Sequence, residues 1–460
     1  MMQINYSRYI AGLILLWLVP DIAGADLWGP YRKTLEANGV VFDYKQIIPK
    51  PVPKEKNFAL TPALNQLPEG ISKMTASGLS LTLWQNSKSI ELEDWRDALK
   101  KEGWVMPDKP GAPASDILFA LSKNEDWMKQ LSAAAKVKPL CRFEVNYADG
   151  LVAELPHLSI LRGVVRVFIL RSLAFIEVNK TKAAFADLEM ALFLADCIKD
   201  EPILISQLVR SAILNITMQA VWEGLAKKKW NAGQLDILGK HFASINCFQE
   251  YRKGNQGERV MGIHTVEKLE GDIDKARELF GDGLPGDDFA IEWFHKNMIN
   301  LNEFHQTYHS QVFDVEPPIL QPNIVNEFTD EWEENKKNKD YLLCAMMMPS
   351  FDWMIRLAQI QAAVDQARLS CQLELYHLKH HKYPKQLKDL KVPLPADLMN
   401  GKPYVYKPDF KGRYLLYGVG WNQKDEGGKV VMIGHPHADR IDHKAGDTVW
   451  GYIPAGLAKP

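Results

Sequence analysis

Cysteine is scarce and scattered. The 460 residues hold five, Cys141, Cys197, Cys247, Cys344 and Cys371, with no Cys-x-x-Cys pair among them. This excludes a dense disulfide framework and the zinc-ribbon and thioredoxin patterns, which need closely spaced pairs. An odd number leaves at least one thiol unpaired in a monomer, and spacing alone gives no connectivity. An excess of one charge is also missing: 55 Lys and Arg stand against 57 Asp and Glu, for a net charge of -2. A general nucleic-acid binder carries a basic surplus, so nucleic acid is not expected as a partner. The chain has no Gly-rich phosphate loop, no Gly-x-Ser-x-Gly elbow and no Cys–His pair with local support, which removes the commonest signatures of nucleotide binding and acyl transfer.

Hydrophobic residues make up 46% and charged residues 24%, an ordinary globular balance with enough apolar material for a large core. The N-terminus departs from that average. Arg8 precedes the apolar stretch Ile10 to Val19, and Ala23-Gly24-Ala25 follow as a small-residue cleavage site. This order predicts a signal peptide over residues 1–25 and a periplasmic or secreted protein. The stretch falls short of the ~20 residues of a membrane span, so no integral span is expected after its removal.

The rest divides into three segments. Residues 26–135 read as irregular with short helices. Lys50-Pro51-Val52-Pro53-Lys54 forms an extended strap, because proline fixes φ and removes a donor. Short helices are predicted over Glu91–Glu102 and Pro113–Leu121. Residues 136–348 read as a helical domain. Helices are predicted over His157–Val178, Thr181–Ile198, Ile203–Leu225, Ala232–Cys247, Glu258–Phe280 and Asp287–Tyr308. Arg162, Arg166 and Arg171 forbid a membrane reading of the first. The pair joined by Asn179-Lys180 is similar to a tetratricopeptide hairpin, although only one good copy is present. Glu331 to Asp340 is a charge run suited to a solvated face or linker.

Residues 349–460 change character. Trp353, Leu357, Ile360, Val364, Ala367, Cys371, Leu375 and Leu378 form one apolar stripe at helical spacing, up to Tyr383-Pro384. Strand signals follow: a hairpin through Tyr404, Tyr406, Tyr414, Leu416 and Val419 turning at 408–412, then a strand at Lys429 to Ile433. The expected fold is therefore mainly α, a multi-helix array plus a small C-terminal α+β module of one long helix on an antiparallel sheet.

Several residues are candidates for chemistry. Arg162, Arg166 and Arg210 lie in apolar helices; embedded charges are normally paired, and Glu201, Glu223 and Glu258 are the partners on offer. A pocket for an anionic ligand is the other reading. His305 and His309 stand at i and i+4, but Gln306 replaces the Glu that a zinc protease needs. His435, His437, Asp439 and His443 form the densest set of transition-metal ligands, in what reads as a loop.

The last segment resembles a known module. Leu373 to Leu390 (LELYHLKHHKYPKQLKDL), Asp397, Gly401-Lys402-Pro403-Tyr404, Tyr414 to Gly420 (YLLYGVG) and Asn422 to Gly428 (NQKDEGG) are similar in order to the C-terminal module of pseudopilin G, the major pseudopilin of type II secretion. The resemblance covers about Trp353 to Val431. It implies a calcium-binding loop, with Asn422, Asp425 and Glu426 as ligands. Asn422 stands where the family usually has Asp, and residues 1–25 read as an ordinary signal sequence and not a prepilin N-terminus, so the chain is not expected to polymerise as a pseudopilin does. Pro51 to Phe58, Leu155-Pro156-His157, Glu201 to Ser206 and Trp222 to Leu225 resemble segments of exported helical proteins of Verrucomicrobia-like bacteria, a likeness that implies no activity.

Together these features predict a non-enzymatic binding or scaffold protein of the cell envelope. Its partners would be envelope proteins, and an association with type II secretion or a pilus-like assembly is expected. A periplasmic metal-dependent hydrolase and a small-ligand binding protein are the alternatives. Removal of residues 350–460 is expected to leave the helical body folded.

Overall fold

The computed structural model describes residues 26–76, 89–281, 284, 291–313, 318–347, 351–409, 413–433 and 441–451. The segment read as a signal peptide lies outside them. The described residues form 16 α-helices and five short strands, as the mainly α expectation requires.

The N-terminal part is more helical than its prolines suggest. It holds α1 (Trp28–Ala37), α2 (Pro62–Asn65), α3 (Glu69–Ala76), α4 (Leu92–Lys101), α5 (Pro113–Ser122) and α6 (Glu125–Val137). Pro62 and Pro113 stand in the first turns of their helices, where a missing N–H costs nothing. The strap is extended and pinned. Asn57 takes the Arg142 N–H at 2.9 Å on its Oδ1 and donates to the Arg142 carbonyl at 2.9 Å, and Phe58 N–H donates to the Leu140 carbonyl at 2.7 Å.

The centre is α7 (Pro156–Glu177), α8 (Thr181–Asp196) and α9 (Leu204–Ala226). Asn179, at φ 60, makes the left-handed turn that folds α8 back onto α7, giving the expected hairpin. Small residues allow close approach: Ser172 Oγ donates to the Ala184 carbonyl at 2.7 Å. Arg171 grips Asp187 with two hydrogen bonds of 2.7 and 2.5 Å.

Next come α10 (Ala232–Ala243) and α11 (Cys247–Leu269). Asn231 and Gln234 form a capping box at the start of α10. The single helix predicted over Glu258–Phe280 is two. Gly271 at φ 76 turns the chain, and Asp272 caps the N–H of Lys275, so α12 (Ile273–Phe280) starts afresh. The chain continues through α13 (Ile291–Val312), α14 (Pro322–Asn335) and α15 (Leu342–Met347). The charge run thus begins as the end of α14.

The longest helix, α16 (Trp353–His380), ends at His381 with φ 56. It is not one stripe lying on a surface. Its apolar line is buried from Trp353 to Cys371, and so are Ala358, Gln361, Ala362, Asp365 and Gln366 on other faces, while Leu378 near its end is exposed. The reason is position: α9, α10 and α11 pack on one side of α16, and the C-terminal strands on the other. Most of its buried polar groups are engaged, Ser370 Oγ being the exception. Gln361 takes the Cys247 N–H at 2.9 Å, Asp365 takes the Tyr404 hydroxyl at 3.0 Å, and Gln366 donates to the Thr448 carbonyl at 2.8 Å.

Strands β1 (Val405–Pro408), β2 (Tyr414–Gly418) and β5 (Thr448–Gly451) form an antiparallel sheet with β2 in the middle; β3 (Val430–Met432) and β4 (Ile441–Gly446) form a second pair. Val405 faces Tyr417 and Pro408 faces Tyr414, the hairpin expected. One large apolar core runs from Trp28 to Trp450 through the helices and the three-stranded sheet, and Tyr147, Ile203 and Met261 form a small second cluster. Among the described residues, no helix is long and apolar enough to cross a membrane.

Candidate functional site

The three singled-out arginines separate. Arg210 is buried and neutralised by Asp196 at 3.1 Å and Glu250 at 3.0 Å. None of the three carboxylates on offer pairs with it. Glu223 instead takes the Ile90 N–H at 3.0 Å and Lys227 at 3.1 Å. Arg162 and Arg166 lie one turn apart on α7; Nη1 of Arg166 is buried without an acceptor, and burial followed by the charge of Arg162 lowers its pKa.

Among the described residues, the histidines do not assemble a metal site. His305 is enclosed with neither ring nitrogen partnered, and burial pushes its pKa down to about 3, so it stays neutral. His309 turns to Asn255 and Gln256, at 3.3 and 3.1 Å. His443 is an exposed residue of β4, not of a loop, while His435, His437 and Asp439 lie outside the described residues. Among the described residues, no three His, Cys, Asp or Glu side chains gather as a metal set.

The glycine-rich loop closes on itself by hydrogen bonds. Asn422 Nδ2 donates to Glu426 Oε1 at 2.6 Å, and Asp425 Oδ1 takes the Tyr417 hydroxyl and the Gly427 N–H, each at 2.9 Å. Asp447 completes it: its Oδ2 accepts from the N–H groups of Glu426, Gly428 and Lys429 at 3.1, 2.7 and 3.2 Å. Backbone donors aimed at a carboxylate make a nest for an anion, the reverse of a cation cage. Only Glu426 Oε2 and Asp447 Oδ1 are buried without a partner. Calcium takes six to eight oxygens, and these two fall short of that shell.

What the fold does bring together is the turn between α8 and α9. Glu201 is buried and bridges two side chains: His157 Nε2 at 2.8 Å on one oxygen and Ser206 Oγ at 2.6 Å on the other. A carboxylate only accepts, so the His157 proton is on Nε2. Phe143 stacks on the ring at 4.2 Å. The group has the membership of a catalytic triad with the wrong wiring. Ser206 donates to the carboxylate, so the imidazole cannot act as its base. The turn is a lock that joins α7, α8 and α9.

Two clefts flank this lock. One, about 530 Å³, runs between the strap and α11, with Lys50, Arg142 and Lys253 facing Asp200. The other, about 300 Å³, is walled mainly by apolar side chains, among them Leu151, Ile203, Met261, Phe280 and Met347. Its one ionisable wall residue is Glu258. That carboxylate accepts only the Leu204 N–H, at 3.3 Å, and burial raises its pKa to about 7. Around the mouth stand Val152, Ile205 and Met346, which are 47, 47 and 38% exposed. Isolated exposed apolar side chains are ordinary, but three around one apolar cavity with one perturbed carboxyl have the make-up of a binding site. Sequence reasoning named Glu258 only as a partner for arginine. The Met346-Met347 pair was the available signal, since methionine is favoured on adaptable binding surfaces.

Glu258 carries a pH prediction. Its folded pKa lies above the ordinary 4.5, so its proton favours the folded state. That contribution is complete below about pH 4.5 and lost as pH rises through about 7. The difference corresponds to ~3 kcal/mol. Glu258→Gln, which stays neutral, is expected to raise the thermal midpoint by a few degrees at pH 8 and to match the parent at pH 4.5. Calorimetry at the two pH values checks it; an equal shift at both would assign the effect to packing and not to charge.

Comparison of the chain with protein-family models, with curated proteins and with solved structures finds no match.

Proposed function

We propose that this chain is a non-enzymatic binding protein of the bacterial cell envelope, which captures an apolar segment of a partner protein in the cleft beside Glu258. The observation that carries the reading is the exposed trio Val152, Ile205 and Met346 around an apolar cavity. A cavity of about 300 Å³ lies at the small end for ligand pockets, fitting one or two apolar side chains of a peptide. Glu258 on the wall would accept a hydrogen bond from that segment. The wiring of Ser206, His157 and Glu201 supports binding over hydrolysis, because a serine that donates to a carboxylate is not activated. The partner we propose is a component of a type II secretion or pilus-like assembly, on the strength of the pseudopilin-like C-terminal segment. With α16 buried, that segment serves as an internal anchor, and the partner surface is on the helical body.

The test is affinity capture from an envelope extract with the chain from Asp26 onward. Parallel baits carry Ile205→Asp and Met346→Asp. Both sites are exposed, so the variants are expected to keep the parent thermal midpoint. Secretin or pseudopilin components should be enriched by the parent and reduced at least ~10-fold by either variant. Equal capture by all three baits, or no reproducible partner, overturns the reading.

A further inference from the structure

Cys141 and Cys197 are brought together from different elements. Cys141 lies on the extended segment after α6, between the two residues that pin the strap. Leu140 N–H donates to the Lys56 carbonyl at 3.2 Å and takes the Phe58 N–H on its own carbonyl; Arg142 is paired both ways with Asn57. Phe58, so fixed, packs edge-on against Phe193 of α8 with ring centroids 5.0 Å apart. Cys197 follows Phe193 by one turn, its N–H bonded to the Phe193 carbonyl at 3.1 Å, and therefore lies on the same helix face. The strap thus sets Cys141 over the end of α8, with its thiol beside that of Cys197.

The two thiols differ in access. Cys141 is half-buried, and Cys197 is buried. Cys247, Cys344 and Cys371 are buried too, on other elements. Only Cys141 offers a sulfur that a reagent from solvent can reach, and its neighbour is the one thiol positioned to finish the exchange.

We infer that Cys141 and Cys197 are a disulfide-forming pair that fastens the strap and Arg142 to the end of α8, oxidised by exchange with a disulfide, either a small-molecule one or that of a dithiol oxidase. The Cys141 thiolate attacks one sulfur of the oxidant, and the other sulfur leaves as a thiolate that takes up the proton Cys141 lost. Cys197 then gives up its proton and attacks the Cys141 sulfur of the mixed disulfide, expelling the second oxidant sulfur as a thiol. Two protein thiols become one S–S bond, and the oxidant disulfide becomes two thiols. The cross-link closes the chain from 141 to 197, ties the wall of the cationic cleft to the helix that leads into Glu201, and leaves the three other cysteines reduced. It is independent of which partner occupies the apolar cleft.

The experiment equilibrates the full chain from Asp26 onward in glutathione buffers of increasing oxidising ratio. Samples are acid-quenched, alkylated and digested, and disulfide-linked peptides are mapped by mass spectrometry. The expected result is one dominant intramolecular link, 141 to 197, with the other three thiols fully alkylated. The oxidised parent should unfold a few degrees above its reduced form. Cys141→Ser and Cys197→Ser should each abolish that difference. If Cys141 is recovered as a free thiol, as a stable mixed disulfide with glutathione, or in a link between two chains, the inference is overturned. The parent measured in both redox states decides this even where a serine variant folds poorly.

Discussion

A chain ending ahead of Phe351 is expected to show no cooperative unfolding transition. Such a chain would lose α16, whose Leu357, Ile360, Val364, Ala367, Cys371 and Leu373 are sealed from solvent within the single core. Each buried Leu, Ile or Val among them contributes ~1.5–3 kcal/mol. The loss of these four alone is comparable to the whole net stability of an ordinary fold, ~5–15 kcal/mol. The facing residues on α9, α10 and α11 would be bared at the same time, and the Cys247 N–H would lose Gln361, its acceptor at the start of α11. The sequence alone suggested the opposite, a detachable C-terminal module on an independent body. Circular dichroism and calorimetry of residues 26–350 against 26–460 separate the two. A sharp transition with native helicity in the shorter chain would mean that α16 lies on the body and not inside it.

That reading came from what periodicity conveys. The apolar stripe from Trp353 to Leu378 identified the helix, and Tyr383-Pro384 its end, because helix phase and proline sterics are local. The stripe could not reveal that the opposite faces are buried as well, since Ala358, Gln361, Ala362, Asp365 and Gln366 look like an exposed small-and-polar side. Their burial depends on acceptors and donors contributed by Cys247, Tyr404 and Thr448, far away in the chain. The same limit governs the charges. Asp187, Asp196 and Glu250 hold Arg171 and Arg210, whereas the carboxylates of Glu201, Glu223 and Glu258 are committed elsewhere. Sequence showed that embedded arginines need partners, and tertiary packing chose them. The apolar cleft had no local mark beyond Met346 and Met347, because its walls come from five separate segments. Asp447, which closes the glycine-rich loop, lies beyond the stretch from about Trp353 to Val431 that carries the resemblance.

Gly257→Ala is expected to be among the most damaging single substitutions in the chain, although propensity argues that it should help. Alanine in a helix interior is favoured over glycine by ~1 kcal/mol, and Gly257 sits inside α11. The opposing effect is steric. A Cβ there would overlap the Pro202 carbonyl, and one turn earlier a Cβ on Gly254 would lie 3.3 Å from the Leu204 Cα. Gly254-x-x-Gly257 thus lets the α11 backbone run directly against the turn that carries Glu201. The colliding atom is backbone and cannot swing aside as a side chain would. Relief requires α11 to move away from that turn, which breaks the Leu204 N–H to Glu258 contact, opens the apolar cleft and loosens the Glu201 lock on His157 and Ser206. Overpacking of this kind costs ~1–3 kcal/mol beyond what propensity returns. The measurable outcome is a thermal midpoint lowered by several degrees together with loss of partner capture. Gly233→Ala, in the first turn of α10, where the only close atom belongs to its own cap residue Asn231, should be neutral or slightly stabilising. The pair of variants isolates the cause: both carry the same change in helix propensity, and only one meets a backbone carbonyl. Equal stability of the two would remove the close approach of α11 to Pro202 as the feature that shapes the site.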